Sequence, residues 1–184
     1  NISLRTKHFK FFIEEQVRFR LNNSELYVFY NDIGAYYLLN DHVNFGPVWR
    51  PWWSKVENGF DQSNLLLFDV NLKNEYKEIE YSFRTRYQQM LRFGENDPKE
   101  FFSRNKFELK YNGWKVKPLI SSELFMPLFK TTPFFIDKIR NTLGLEINIT
   151  KHSAIIPLLM YIKDRSALDY QDLFIIGGGY YLIF

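Results

Sequence analysis

Thr150, Lys151, His152 and Ser153 form the stretch whose side chains are best suited to binding an anion. Two hydroxyls, an imidazole and an ammonium group offer hydrogen-bond donors at short spacing, and the lysine adds a point charge suited to a phosphate. The stretch follows alternating apolar residues, as a turn follows a strand. We therefore predict a small polar and basic turn that contacts phosphates or riboses.

Residue types that carry out catalysis are few and scattered. His8, His42 and His152 lie far apart without the spacing of metal ligands, and the absence of Cys excludes every thiolate site. Gly177–Gly179 precedes a strand-like segment and does not open a helix, so it lacks the context of a phosphate-binding loop. We predict that the protein is not an enzyme and uses no metal or cofactor.

A helix followed by a strand is predicted to position the polar turn. Thr132 can cap a helix whose first position is Pro133, and Gly144 is a suitable stop. The alternation of apolar residues over Leu145–Ile149 then predicts a half-buried strand that ends at the turn.

Elsewhere the pattern predicts a mixture of helices and strands. Helical spacing of apolar residues, or a capping residue, predicts helices over Ile2–Leu21, Ile33–Leu39 and Arg84–Phe93 and from Pro98 to Phe102. Strands are predicted over Tyr27–Tyr30, Leu65–Leu72, Ile79–Phe83 and Tyr180–Phe184, the second and third as an antiparallel pair. Asn112-Gly113 between Phe107–Tyr111 and Trp114–Val116 predicts a hairpin, whereas the two Pro and three Trp of Pro47–Trp53 predict irregular structure.

Three stretches of the chain resemble ribosomal protein eight of the small subunit. Lys138–Ile147 followed by Thr150 resembles the helix, strand and hydroxyl-rich loop of that family, although Ile149 and Lys151 stand where the family has serines. Val17–Asn22 resembles the end of its first helix, and Ile175–Gly178 resembles its terminal Gly-Gly and strand. An alternative register places the RNA-facing loop at Tyr161–Arg165.

The resemblance implies an α+β protein with an N-terminal lobe of helices and strands and a C-terminal, β-rich lobe. It divides the chain into residues 1–50, an inserted middle region over 51–105, and an RNA-binding part over 106–184. It also implies contacts to small-subunit ribosomal RNA, and Lys151, His152 and Ser153 are added on chemistry alone. The residues carried over by the resemblance are Arg18, Arg20, Asn22, Thr150, Gly177 and Gly178.

Composition indicates the setting. Aromatic residues make up 19% of the chain, and the abundance of Phe, Tyr, Ile, Asn and Lys indicates an A/T-rich genome such as that of an organelle. The net charge is +3, with basic residues concentrated in 1–23 and 84–117 and acidic residues in 57–80. This segregation is typical of a protein with one face for a polyanion, although a solvated charge pattern explains it equally well.

No apolar run approaches the roughly 20 residues of a membrane helix, so no membrane contact is predicted. Because Asn1 is not Met, we expect further residues upstream.

Together these observations predict a structural constituent of the small subunit of a mitochondrial ribosome, located in the matrix. Its predicted partners are small-subunit ribosomal RNA and neighbouring ribosomal proteins, and its role is subunit assembly for translation. A soluble accessory subunit of an organellar membrane complex is the alternative, in which the aromatic surface packs against partner proteins. An enzyme whose carboxylates and His gather only in the folded chain is a third possibility.

Overall fold

The structure is a computed structural model that describes residues 2–20, 25–57, 59–91, 101–128, 136–150, 153–164 and 171–183. Within these ranges every regular element is a β-strand. The eleven strands are β1 (Ile2–Arg5), β2 (Phe9–Arg20), β3 (Glu25–Leu38), β4 (Val43–Val56), β5 (Gly59–Tyr76), β6 (Ile79–Leu91), β7 (Phe101–Tyr111), β8 (Val116–Leu128), β9 (Lys138–Thr150), β10 (Ser153–Asp164) and β11 (Gln171–Ile183).

The ten long strands β2 to β11 form one closed antiparallel barrel. Each strand pairs with its neighbours in sequence, and β11 returns to pair with β2. At this seam β11 meets β2 only along Ile175–Gly178 against Val17–Arg20. The short β1 fills the remainder of the seam, antiparallel to β2 and parallel to the end of β11.

Alternation of side chains explains why these segments form strands. On β5 the side chains of Leu66, Phe68 and Leu72 point out of the barrel and are exposed, while Leu67 and Asp69 between them are buried. Successive side chains of a strand point to opposite faces, so a period of two sorts them in this way. The same sorting recurs around the barrel.

The two ends of the barrel differ in their connections. At the end that we call the short-turn end, strands are joined through residues 39–42, 77–78 and 112–115. At the opposite end, which we call the long-connection end, the connections include residues 92–100, 129–137 and 165–170, besides the shorter 21–24 and 57–58.

Two small apolar clusters lie inside the barrel. One gathers Phe12, Val48, Leu65 and Leu67, with Tyr36, Trp52 and Met90 packed against it. The other gathers Met160, Ile162 and Ile175 from β10 and β11, with Leu158 and Leu173 beside it. The apolar core is therefore divided between parts of the lumen and is not one continuous layer.

The predicted α+β fold is wrong, because the described residues form an all-β barrel. The helix predicted over Ile2–Leu21 is replaced by β1 and β2, and Arg84–Leu91 continues β6. In β2 the inward Phe12 lies between the outward Phe11 and Ile13, and this interruption of the alternation resembles helical spacing. The described part of Pro98–Phe102, Phe101 and Phe102, belongs to β7.

The helix predicted before Gly144 fails for a related reason. Ile139 and Leu143 are four residues apart, and an even spacing places them on one face of a strand as well as of a helix. In the structure they belong to β9, and Gly144 lies within this strand where a Cβ would come 3.0 Å from Leu119. Residues 131–135 of the predicted helix lie outside the described residues.

Several predicted strands are confirmed. Tyr27–Tyr30 and Leu65–Leu72 lie within β3 and β5, and β5 and β6 form the predicted antiparallel pair. Asn112-Gly113 lies in the hairpin between β7 and β8. In contrast, Ile33–Leu38 continues β3 and Pro47–Trp53 lies in β4 instead of an irregular segment.

The prolines of β4 are accommodated on one side of the strand. The pairing of β4 with β5 runs without a break from Val43 to Val56, whereas the pairing with β3 is interrupted at Pro47 and Pro51. Because proline has no N–H to donate, a strand tolerates it where one ladder can be broken.

Candidate functional site

Large apolar side chains cover the outer face of the barrel and charged side chains lie inside it, which is the reverse of the arrangement in a protein that folds in water. Among the described residues, 31 large apolar side chains are exposed, while ten apolar side chains are buried. The residues buried inside include charged side chains from six strands, namely Asp32, Arg50, Asp69, Arg86, Arg104 and Glu123. We call the exposed apolar surface the outer belt; it includes Phe11, Ile13, Ile33, Trp49, Leu66, Phe68, Leu72, Phe83, Tyr87, Phe107, Ile120, Leu143, Leu145, Leu159, Phe174 and Ile176.

Aromatic side chains gather near both ends of the outer belt. Toward the long-connection end Phe29 stacks on Trp53 with ring centroids 4.7 Å apart and meets Phe60 edge-on at 5.5 Å. Toward the short-turn end Tyr111 and Trp114 meet at 5.1 Å. Such girdles flank the apolar band of membrane-spanning barrels, because aromatic side chains with a polar group suit the interface with water.

The first buried ionic group, which we call the aspartate–arginine cluster, spans β3 to β6. Arg50 donates to Asp32 through Nε at 2.5 Å and Nη2 at 2.6 Å. Arg86 donates to Asp69 in the same two-pronged way at 2.6 and 2.7 Å, and the hydroxyl of Tyr36 donates to Asp69 at 2.6 Å. Two carboxylates therefore balance two guanidinium groups, in the paired geometry that makes such ion pairs strong.

The second group, which we call the Glu123 cluster, spans β6 to β9. Glu123 accepts hydrogen bonds from Arg104 Nε at 3.1 Å, from Arg84 Nη2 at 3.3 Å and from Arg140. Arg104 also donates to Gln88 at 2.9 Å. One carboxylate thus faces three guanidinium groups, which leaves the cluster with an excess of positive charge.

A third set of ion pairs lies nearer the short-turn end. Lys110 lies 3.3 Å from Glu80 and 3.2 Å from Glu146, which also pairs with Lys117 at 3.3 Å. Lys73 pairs with Glu80 at 2.8 Å. These pairs continue the polar lining along the inner face of β5 to β9.

The lumen is filled at the level of the two buried clusters. Asp69 has 0%, Glu123 1% and Arg86 2% of its surface exposed. A water-filled channel would expose the charged side chains that line it, as in porins. Burial to this degree therefore indicates a lumen that is closed to water at this height.

A cavity of about 340 Å³ lies in the lumen toward the long-connection end. The ring of Phe125 in its wall is approached by Arg104 at 4.5 Å, by Arg140 at 5.5 Å and by Lys138 at 5.8 Å. Another part of its wall is apolar and consists of Val28, Leu65, Met90, Phe102, Ile162, Leu173 and Ile175. The cavity thus combines a basic wall with an apolar wall, an arrangement typical of small-molecule sites.

The structure distributes the predicted RNA-binding residues over different parts of the barrel. Thr150 ends β9 and its hydroxyl lies 2.7 Å from that of Ser153, which begins β10 at the short-turn end. Arg18 and Arg20 lie in β2, where Arg18 is the cross-strand neighbour of Gly177 and Val17 that of Gly178. Asn22, Lys151 and His152 lie outside the described residues.

The residues of the two buried clusters were missed by sequence analysis. Their sequence signal is the alternation of charged residues with uncharged, mostly aromatic ones, as in Phe83-Arg84-Thr85-Arg86-Tyr87 of β6. The sequence analysis assigned these arginines to the helix predicted over Arg84–Phe93.

The described residues contain neither a membrane-crossing helix nor a cluster of metal ligands. In the part of the chain that the structure describes, no helix has the length and apolarity that crossing a membrane requires. Across the same residues, no three His, Asp or Glu side chains come together as metal ligands would.

A family model described as "Protein of unknown function (DUF2490)" matches residues 1–170 of the chain. The chain belongs to the DUF2490 family. Comparison with curated proteins found no significant match. The fold of this DUF2490 chain is similar to the crystal structure of the beta domain of the Bordetella autotransporter BrkA, with a TM-score of 0.50 and 10% identity over 98% of this chain and 86% of that one. The crystal structure of Acinetobacter baumannii OccAB3 matches with a TM-score of 0.41 and 11% identity, over 97% of this chain and 53% of that one.

These comparisons overturn the ribosomal interpretation. The resemblance to ribosomal protein eight is wrong, because the matching family is DUF2490 and the fold is a barrel like that of the BrkA beta domain. The predicted ribosomal and RNA partners, the role in translation and the mitochondrial matrix location are wrong with it. The soluble accessory subunit and the prediction of no membrane contact are also wrong, because the chain folds as a closed barrel similar to the autotransporter beta domain, and the length expected of a membrane helix does not apply to strands.

Proposed function

We propose that this DUF2490 chain is an integral β-barrel of a bacterial outer membrane whose lumen is closed by buried ionic clusters. The observation that carries the proposal is the inverted sorting of side chains, with large apolar residues outside and ion pairs inside. In lipid, only a closed barrel or a helix can hydrogen-bond all of its own backbone N–H and C=O groups. The outward apolar face of such a barrel then contacts the acyl chains. The likeness to the beta domain of a Bordetella autotransporter supports a bacterial setting.

The strand lengths and the two ends support an orientation. The strands β2 to β11 have 11 to 18 residues, and a tilted strand needs about 9–11 to cross a bilayer. Barrels of outer membranes have short turns on the periplasmic side and longer loops outside. The short-turn end therefore faces the periplasm in this proposal, and the cavity lies toward the outside of the cell.

Site-directed labelling tests the proposal, and the absence of Cys in the sequence makes single-cysteine variants direct to prepare. Leu66→Cys labels the outer belt and Trp114→Cys labels the short-turn end. Each variant is modified with an environment-sensitive fluorophore and folded from urea into phospholipid vesicles. We expect the label at position 66 to be quenched by lipids with a spin label on the acyl chain, and the label at position 114 to be quenched by aqueous iodide.

Two results would contradict the proposal. One is a chain that forms β-structure by circular dichroism yet does not float with the vesicles. The other is equal quenching of both labels by iodide, since an outer belt in water would be as accessible as the turn.

A further inference from the structure

We infer that the cavity in the lumen is a binding site for a small amphiphile with one carboxylate head and an apolar tail. The inference goes beyond the proposed function and does not depend on it, since it concerns the inside of the barrel.

The basic wall is the first argument. Within the Glu123 cluster, Glu123 supplies one negative charge against Arg84, Arg104 and Arg140. Of these, Arg104 and Arg140 line the cavity, and Arg104 has 4% of its surface exposed. Charged groups removed from water require partners of opposite charge, and a bound carboxylate supplies one.

The other charged residues of the wall balance one another more closely. Arg50 is held by Asp32, and Lys138 pairs with Asp164 at 2.6 Å. Asp137 is the remaining acid in the wall. Counted together with Asp32, Glu123 and Arg84, which pair with residues of the wall or with one another, five cationic side chains face four acids, so one positive charge is left over and the wall favours an anion over a cation.

The apolar wall is the second argument. Ile162 on β10 and Leu173 and Ile175 on β11 form one side of the cavity. Polar groups in a ligand would lose their hydration against this wall without gaining hydrogen bonds, whereas an aliphatic chain loses nothing there. The volume of about 340 Å³ is at the lower limit of small-molecule pockets, so a short amphiphile fits better than a long lipid.

Equilibrium dialysis of radiolabelled octanoate against the barrel held in an amphipathic polymer tests the inference. We expect saturable uptake of one octanoate per chain. Octylammonium, with the same tail, and octanol, with no charge, should each bind roughly tenfold more weakly, because neither forms charge-assisted hydrogen bonds with the arginines. Acetate, with no tail, should not compete.

Matched variants separate the two walls. Arg140→Gln and Arg84→Gln both remove a partner of Glu123, but only Arg140 lines the cavity. We expect Arg140→Gln to weaken octanoate binding by roughly tenfold and Arg84→Gln to weaken it far less. Ile162→Trp fills the cavity and should abolish saturable uptake, whereas Leu159→Trp on the outer face of the same strand should leave it unchanged.

Equal binding of octanoate and octylammonium, or saturable binding that survives Ile162→Trp, would overturn the inference. If Arg140→Gln does not fold, the comparison of Ile162→Trp with Leu159→Trp decides alone. The vesicle-labelling experiment has a separate readout. A failure to bind octanoate would therefore not contradict the membrane proposal, and a failure to insert into vesicles would not contradict the binding site.

Discussion

At the scale of single residues, the barrel depends on ion pairs that have no access to water. Arg86 and Asp69 form a two-pronged pair in which neither side chain is appreciably exposed, and Tyr36 donates a third hydrogen bond to Asp69. The Coulombic gain of such a pair is offset by the loss of hydration, so the pair contributes less net stability than its geometry suggests. Removing one partner destabilises the barrel strongly, because the other charge then stays buried and unpaired.

The change Asp69→Asn is therefore expected to destabilise the barrel by about 3–5 kcal/mol. The exposed pair between Arg5 and Asp41, at 3.6 Å, offers the control. Asp41→Asn should cost less than about 1 kcal/mol, because water screens that pair. Urea unfolding in lipid vesicles, followed by circular dichroism, measures both. Equal losses for the two variants would show that the buried cluster does not stabilise the fold.

At the scale of strands, the position of a residue along β5 determines what an added charge costs. Leu66 lies in the middle of the outer belt, and Tyr76 lies at the short-turn end of the same strand. We expect Leu66→Arg to destabilise the barrel in vesicles by about 2–4 kcal/mol and Tyr76→Arg by about 1 kcal/mol or less, because the cost depends on depth in the bilayer. Unfolding of both variants in urea measures the difference. A larger cost at position 76 would contradict the assigned depth.

The close approach of β3 and β4 at Gly46 gives a second prediction at this scale. A Cβ at position 46 would come 2.0 Å from the backbone oxygen of Ala35, so one of the two strands would have to move. Gly46→Ala should lower the stability by more than about 1 kcal/mol, as overpacking does. Gly178→Ala is the control, because the nearest atom to its Cβ is 3.8 Å away. Comparing the urea midpoints of the two variants decides the question.

Strands with regular alternation could be predicted from the sequence, and those with interrupted alternation could not. Ile79–Phe83 and the Asn112-Gly113 hairpin were predicted because a period of two and turn residues are local signals, and Leu65–Leu72 was predicted because a short apolar run before a turn residue is one as well. The inward Phe12 and the evenly spaced Ile139 and Leu143 resemble a helix, because spacings of three and four residues also occur in a strand that is apolar on both faces. Only tertiary pairing distinguishes the two.

The candidate site could not be predicted from the sequence for another reason. Asp69 and Arg86 are 17 residues apart, and Arg84 and Glu123 are 39 apart. Their meeting depends on the register of several strand pairs, which a short sequence window does not contain. The charged residues were visible, but the face to which they point was not.

At the scale of the whole molecule, the filled lumen predicts how the barrel conducts ions. In planar bilayers the unmodified chain should show no stepwise current of the kind an open pore gives, because the buried clusters leave no continuous water path at their level. The triple variant Glu123→Ala, Arg104→Ala and Arg140→Ala removes one cluster and should raise the ion conductance. A steady stepwise current from the unmodified chain would contradict the closed lumen.

The seam between β2 and β11 has a consequence for the order in which the barrel is built. Among the described strands, every pairing except those of β11 with β2 and with β1 joins neighbours in sequence, so each hairpin can form beside the one before it. These two pairings bring together residues as distant as Val17 and Gly178, or Ile2 and Leu182. Closing so long a loop costs chain entropy that local pairing avoids, and non-local pairing slows folding. The barrel is therefore closed last during folding. A substitution at the seam should alter the rate of closure more than the stability of the hairpins that form before it.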